Sequence, residues 1–173
     1  IQHCNVVNFV QNNAANAFQS GILNGCSHFI SANSISFDIT LQEIYLPLLN
    51  GKSVILLSDE QMYNIAMATN LFEGRKCGLV ITPSKLSVYM SDETFCNNMR
   101  NISFIMCGAE AFPQQLLRRI REHTDAVVYN GYGPTETTCG VLYSQVKEDE
   151  SISIGKPIAN TQIYIVDKFL RPV

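Results

Sequence analysis

The sequence lacks an excess of positive charge, a long apolar run and a cysteine pair of the CxxC type. Its 12 basic and 15 acidic residues give a net charge of −3, whereas nucleic-acid-binding proteins usually carry a basic stripe. No apolar run approaches the roughly 20 residues that a membrane span requires. The first residues, IQHCNVVNF, have neither the basic nor the apolar region of a signal peptide. We therefore expect no nucleic acid and no membrane among the partners.

Six cysteines occur, but their spacing is typical of neither a zinc site nor a disulfide framework. They are Cys4, Cys26, Cys77, Cys96, Cys107 and Cys139. Most lie in apolar surroundings such as FIMCGA. Thiols of this kind are typical of reducing compartments, so we predict reduced cysteines in a cytoplasmic protein.

Apolar runs alternate with amphipathic ones along the chain. Several of the apolar runs are continuous, as in strands covered on both faces. The predicted strands span 26–32, 53–58, 78–82, 102–107, 126–130 and 161–166. The predicted helices span 5–20, 38–49, 62–72, 84–90 and 113–123. Pro47 should kink the second helix or tighten its last turn. The pattern predicts an α/β fold with a layered, mostly parallel β-sheet flanked by helices.

Two loops after predicted strands have unusual chemistry. Ligands of such sheets bind beyond the carboxyl ends of the strands. CGAEAFP follows the strand at 102–107, and GYGPTETTCG follows the strand at 126–130. These loops are therefore the first candidates for a functional site.

The run NGYGPTETT, residues 130–138, combines features of a nucleotide site. Gly131 and Gly133 let a ligand approach the backbone, and the ring of Tyr132 can stack on a planar base. Thr135 adds a hydroxyl at the first turn of a short helix whose free N–H groups suit a phosphate. Glu136 beside a phosphate suggests Mg²⁺. The competing interpretation is a Gly-Pro turn that begins a helix, with Glu136 favouring only the helix dipole.

The same nine residues resemble a core motif of the adenylate-forming superfamily, in the form found in amino-acid adenylation domains of nonribosomal peptide synthetases. SFDITLQEIYLPLLNG resembles the substrate-binding motif FDxxxxExxxxLxxG of that family, and FIMCGAEAFP resembles its adenine-binding strand and loop. IGKPIANTQIYIVDKFLRPV and the initial IQHCNVVNF also match, in order and spacing. The resemblance covers essentially the whole chain.

The resemblance implies an enzyme that joins a carboxylate to ATP, giving an acyl-adenylate and pyrophosphate, with Mg²⁺. Amino-acid members pass the acyl group to phosphopantetheine on a carrier domain or protein. Asn130 and Tyr132 would bind the adenine, Thr135 the α-phosphate and Glu136 the Mg²⁺. The remaining nucleotide contacts would come from Gly108, Ala109, Glu110, Gly131 and Gly133.

The resemblance also implies that Asp38 pairs with the α-ammonium of the amino acid. Two other interpretations remain open: Asp38 is a helix N-cap, or Thr40 and Glu43 form a capping box that leaves Asp38 free. Glu43 would otherwise support the loop before it. The mapped pocket for the substrate side chain suggests a neutral group of small or medium size, with proline among the candidates. It comprises Ile39, Gln42, Val80, Ile105, Cys107, Gly131, Cys139 and Gly140.

By the same resemblance, the phosphate loop would precede Ile1, and the ribose-binding aspartate and catalytic lysine would follow Val173. Residues 1–173 would then be one partial, central domain without turnover of its own. A D-alanine carrier-protein ligase and an acyl-CoA ligase are the related alternatives, although Asp38 argues against the second. A non-catalytic interaction module is the alternative from another class.

Overall fold

Seven strands join into one sheet in the computed structural model, which describes residues 1–11 and 17–173, without the side chains of Ala17 and Phe18. The strands are β1 (His28–Ser31), β2 (Ser53–Leu56), β3 (Cys77–Ile81), β4 (Ile102–Gly108), β5 (Val127–Tyr132), β6 (Leu142–Gln145) and β7 (Lys156–Pro157). Their spatial order is β2-β1-β3-β4-β5-β6-β7. The first five run parallel, and β6 and β7 add an antiparallel edge. The predicted fold class is confirmed.

The α-helices are short. They are α1 (His3–Val10), α2 (Ala17–Gly25), α3 (Leu46–Leu49), α4 (Asp59–Tyr63), α5 (Pro83–Tyr89), α6 (Glu93–Asn98) and α7 (Gln114–Arg121). A π-helical turn at Leu41–Tyr45 leads into α3, and 3₁₀ turns occur at Ile65–Leu71, Met99–Asn101 and Thr135–Thr137. Within the described ranges, none of the helices has the length and apolar character to span a bilayer.

Strand side chains alternate between two separate cores, one on each face of the sheet. Ile105 and Cys107 of β4 enter the first core, which α5, α6 and α7 cover. Phe104 and Met106 enter the second, which α1, α2 and α3 cover. Whether a residue stands at an odd or an even position along its strand therefore determines which core its side chain joins.

The helix predicted over 38–49 is wrong as one regular helix. Leu46 N–H donates to Leu41 O, five residues back, so the turn is widened. Pro47 has no N–H and its ring crowds the carbonyl four residues earlier, which explains why a wide turn precedes it. The sequence predicted a kinked or tightened turn at Pro47, and the structure shows a widened turn before it instead.

Other predicted boundaries need correction. The helix over 5–20 ends at Val10, because Gln11 is extended (ψ 124°), and residues 12–16 of that prediction lie outside the described residues. The helix over 62–72 is instead α4 followed by a 3₁₀ turn. The strand over 161–166 is wrong, because its only pairing is a bridge from Val166 to Pro172 across a local turn. The pattern also missed α6, β6 and β7, which are all short.

Glu43 connects the π-helical turn to the loop after β1, as the sequence suggested for it. Its carboxylate accepts hydrogen bonds from Ala32 N (3.0 Å), Asn33 Nδ2 (2.7 Å) and Ser31 Oγ (3.3 Å). Glu43 is 1% exposed, and burial raises its pKa from 4.5 to about 7 against the lowering effect of these hydrogen bonds. The alternative of a capping box with Thr40 is wrong, since the Thr40 hydroxyl donates to Phe37 O.

The raised pKa of Glu43 predicts that stability falls as pH rises. Between pH 4.5 and about 7 the folded state holds a proton that the unfolded state has released, so the free energy of unfolding decreases with pH across that window, by up to about 1.4 kcal/mol per pH unit. Glu43→Gln has no proton to lose and should remove this slope. Thermal unfolding from pH 4 to 8 measures it, with the exposed Glu73→Gln as control. Parallel profiles for the wild type and Glu43→Gln would contradict the assignment.

Candidate functional site

A cavity of about 230 Å³ lies beyond the carboxyl ends of β4 and β5, at the edge of the sheet that the sequence singled out. We call it the central cavity. Three segments meet there: the stretch that enters the π-helical turn, the end of β4, and the loop between β5 and β6. Its lining consists of Phe37, Asp38, Ile39, Gln42, Met106, Gly108, Ala109, Gly131, Tyr132, Gly133, Pro134, Thr135, Cys139, Gly140 and Tyr143. Most of the predicted binding residues are brought together in this one place.

The loop between β5 and β6 folds back tightly on Gly133. A Cβ at Gly133 would lie 2.7 Å from Gly140 Cα and 2.9 Å from Val141 N, and would overlap Cys139 O. Thr138 and Cys139 both have left-handed backbones, with φ 71° and 70°, a conformation that is strained for a β-branched residue such as Thr138. Only glycine at 133 therefore permits the closed loop that forms one wall of the central cavity.

Asp38 presents a carboxylate to the central cavity from the turn before the π-helical segment. Its backbone O accepts from Leu41 N–H, but Thr40 and not Asp38 precedes the segment as N-cap. No described residue forms a hydrogen bond or ion pair with the Asp38 side chain. The N-cap interpretation is therefore wrong, and the carboxylate is available to a cationic ligand.

Gln42 and Tyr143 form the floor of the central cavity. Gln42 Nε2 donates to Tyr143 Oη, and both residues are buried. Gln42 Oε1 is also buried and has no hydrogen-bond partner among the described residues. The sequence predicted Gln42 but missed Tyr143. The one signal for Tyr143 was that it follows Cys139 and Val141 at intervals of two residues, which places side chains of an extended segment on the same face.

A second cavity of about 360 Å³, the side pocket, lies on the other side of the Gly131–Pro134 segment. Asn130, Glu110 and Tyr132 border it. Asn130 is buried, and its Nδ2 donates to Ser153 O (2.9 Å). This bond leaves the amide oxygen of Asn130 as the acceptor for a ligand.

Glu110 borders the side pocket and also binds the start of α5. Its carboxylate accepts hydrogen bonds from Ser84 Oγ (2.6 Å) and Ser84 N (3.0 Å) at the start of α5, and these bonds lower its pKa. Neighbouring Ala109 has a left-handed backbone (φ 66°). Glu110 therefore fastens the β4 loop to α5 while its stem borders the pocket.

Thr135 and Glu136 lie in the 3₁₀ turn Thr135–Thr137 beside the mouth of the central cavity. Thr135 lines the cavity, and Glu136 is exposed with no bonded partner among the described residues. In the part of the chain that the structure describes, no group of three or more acidic, histidine or cysteine side chains could hold a metal ion by itself. A free carboxylate does fit Mg²⁺ that is held mainly by substrate phosphates, because Mg²⁺ commonly binds one or two carboxylates with phosphates and water.

The structure corrects three residues of the predicted side-chain pocket. Ile105 and Cys107 point to the opposite face of the sheet and are fully buried in the other core, so they do not line the central cavity. Met106 and Gly108, one position along, line it instead. Val80 is on the cavity face but does not reach the lining. An offset of one residue reverses the face of a strand, which explains the error.

The cysteines are free thiols, as predicted. Only Cys4 is exposed, and burial raises the pKa of Cys26, Cys77 and Cys107. Cys139 lines the central cavity, and its pKa is also raised by burial, with Asp38 contributing. A thiol in this state is a poor nucleophile, so Cys139 contributes its shape and apolar surface.

The whole chain, residues 1–173, matches the family of AMP-binding enzymes. The chain is 36% identical over 146 residues to Tyrocidine synthase 3 of Brevibacillus parabrevis, a match that covers 80% of this chain and 2% of that protein. It is 32% identical over 177 residues to the PKS-NRPS hybrid synthetase acdB of Aspergillus candidus, which covers 100% of this chain and 7% of that protein. The chain thus spans only a small part of these relatives.

Solved structures share the fold. One is a four-domain nonribosomal peptide synthetase bound to AMP and glycine, with a TM-score of 0.81 and 24% identity over 100% of this chain and 13% of that one. Another is a synthetase protein containing adenylation and PCP domains, with a TM-score of 0.76 and 22% identity over 99% of this chain and 34% of that one. These likenesses confirm the overall fold.

The close backbone contacts at Gly133 predict that adding a single methyl group there lowers the stability of the fold. In Gly133→Ala the new Cβ meets backbone atoms that cannot rotate away, which should cost about 1–3 kcal/mol and lower the Tm by roughly 2–10 °C. Gly25→Ala is the control, because a Cβ there meets nothing within 4 Å. Differential scanning calorimetry compares the two. Equal melting temperatures for both variants would show that the loop is not closed on Gly133.

Proposed function

Because the chain belongs to the AMP-binding enzyme family, we propose that it forms the amino-acid and base-binding centre of an adenylation domain. The complete enzyme joins the carboxylate of an amino acid to ATP, giving an aminoacyl-adenylate and pyrophosphate. The nonribosomal peptide synthetases among its relatives support the choice of this branch of the family.

One observation carries the proposal: the Asp38 carboxylate lines the central cavity without a cationic partner among the described residues. An uncompensated carboxylate at a partly buried position favours binding of a cation. The α-ammonium of an amino acid supplies that charge and places the substrate carboxylate toward Thr135. An acyl-CoA ligase would have no use for a carboxylate there, since its substrate lacks the amine.

The nucleotide lies along the Gly131–Pro134 segment in this proposal. The adenine occupies the side pocket, where Asn130 Oδ1 accepts from its amino group and the half-exposed Tyr132 ring stacks on it. The backbone at Gly133 lets the nucleotide pass close, and the Thr135 hydroxyl donates to an α-phosphate oxygen. One carboxylate oxygen of the amino acid then attacks the α-phosphorus and pyrophosphate leaves, so the protein contributes positioning and charge stabilisation.

Glu136 would hold Mg²⁺ at the phosphates. The ion would neutralise the negative charge of the phosphates and the leaving pyrophosphate. The aminoacyl group would next pass to phosphopantetheine on a carrier domain, as the PCP-containing structural relative suggests. The phosphate loop and the catalytic lysine are proposed to lie outside residues 1–173, so the complete domain is the unit to assay. A D-alanine carrier-protein ligase would use the same pocket and would show strict preference for D-alanine.

Replacement of Asp38 tests the proposal directly. In a complete adenylation domain containing this chain, amino-acid-dependent ATP–pyrophosphate exchange is measured for the wild type, Asp38→Ala and the control Asp125→Ala, which removes an exposed aspartate. Asp38→Ala should lose at least about 30-fold in kcat/KM for the amino acid, equivalent to about 2 kcal/mol, because the ammonium loses its partner. The KM for ATP should change little. Exchange that is unchanged by Asp38→Ala would refute the α-amine assignment.

The proposed role of Glu136 makes a separate prediction. Glu136→Gln should raise the Mg²⁺ concentration for half-maximal exchange roughly tenfold or more, since loss of even indirect ligand support weakens metal affinity by that much. Glu73→Gln removes another exposed carboxylate and serves as control. A titration of MgCl₂ at saturating ATP and amino acid measures both. If Glu136→Gln has the wild-type Mg²⁺ requirement, Glu136 does not hold the metal.

A further inference from the structure

We propose that Tyr143 sets the upper size limit of the substrate and that the amino acid has a short side chain, of the size of alanine or serine. This inference rests on the proposed function, since it concerns the amino acid bound at Asp38. It adds Tyr143 of β6 to the residues that determine specificity.

Tyr143 lines the central cavity from β6, where it lies directly opposite Gly131 of β5. The residue is buried, and it lines the cavity together with Gln42 and Cys139. The hydrogen bond from Gln42 Nε2 holds its hydroxyl in place. The ring therefore lies where a long substrate side chain would have to extend.

The Tyr143 ring occupies space that is available because residues 131 and 140 are glycines. A Cβ at Gly131 would lie 2.9 Å from Tyr143 Cε1, and a Cβ at Gly140 would overlap the Tyr143 hydroxyl. A Cβ at Gly140 would also lie 3.0 Å from Gln42 Nε2. The absence of side chains at these two lining positions thus does not enlarge the pocket, because Tyr143 takes up the space.

The remaining space is small. The cavity of about 230 Å³ extends from Asp38 past Gly131 to Thr135 and so includes the region assigned to the reacting carboxylate and phosphate. Ile39 and Met106 also line this cavity, and both are buried. An amino acid whose α-ammonium pairs with Asp38 therefore has little room for a side chain beside Tyr143.

The test measures how selectivity changes, in a complete adenylation domain containing this chain. Pyrophosphate exchange gives kcat/KM for alanine, serine, leucine and phenylalanine with the wild type, Tyr143→Ala and Tyr143→Phe. We expect the wild type to prefer alanine or serine. Tyr143→Ala should raise the leucine-to-alanine ratio at least about tenfold, since each methylene accommodated in an apolar pocket is worth roughly 10- to 200-fold. Tyr143→Phe keeps the ring and should keep the wild-type ratio.

A ratio of two substrates with one variant is independent of how much of that variant is folded. Tyr143→Leu, which is too short to reach Gly140, replaces Tyr143→Ala if the latter yields no folded protein. The matched control is Tyr89→Ala, because Tyr89 is a buried tyrosine on the opposite face of the sheet, bonded to Met62 O (2.8 Å). Its ratio should equal that of the wild type.

The outcomes separate this inference from the proposed function. A wild type that activates leucine or phenylalanine better than alanine and serine overturns the inference and leaves the function standing. A leucine-to-alanine ratio that stays unchanged in Tyr143→Ala or Tyr143→Leu also overturns the inference and leaves the function standing. A wild type that exchanges pyrophosphate with no amino acid at all counts against the proposed function itself.

Discussion

The buried carboxylate of Glu43 is the interaction on which the arrangement of the site depends. It accepts hydrogen bonds from the last residue of β1 and from the two residues that follow, and it belongs to the π-helical turn. It therefore joins two segments that are otherwise separated by an exposed stretch. Lys85 of α5 reinforces the same loop by donating to Ala32 O. Without this connection, neither the start of the turn nor the residues on it would have a defined position relative to the sheet.

The π-helical turn carries residues that point in two directions. Residues four apart lie about one helical turn from each other on a single face, and Asp38 and Gln42 both line the central cavity. Glu43 instead points to the buried loop, where it accepts from Ala32 N. Irregular helical turns of this type are frequent at functional sites, and here proline explains its presence.

The loop between β5 and β6 supplies the opposite wall under a different constraint. Backbone approach at Gly133, together with two left-handed residues, folds nine residues into a closed turn. The antiparallel return of β6 brings Tyr143 beside Gly131. This loop therefore holds Thr135 at the mouth of the central cavity, and the strand that follows it places Tyr143 at the cavity floor.

By itself, the sequence determined the α/β class and the parallel core strands. It also predicted Asp38, Ile39, Gln42 and residues of the loop after β5 as site residues, and the structure brings most of them to the central cavity. Those features depend on local composition and on motifs, which are readable along one chain. It failed at Ile105 and Cys107, at the strand over 161–166, and at Tyr143. Only the tertiary structure decided which face of the sheet each β4 side chain takes, because that depends on the register in which β4 pairs with β3 and β5. It also decided that the last segment pairs only with itself, since a strand requires a neighbour, and that a tyrosine from the antiparallel edge occupies the room left by Gly131 and Gly140.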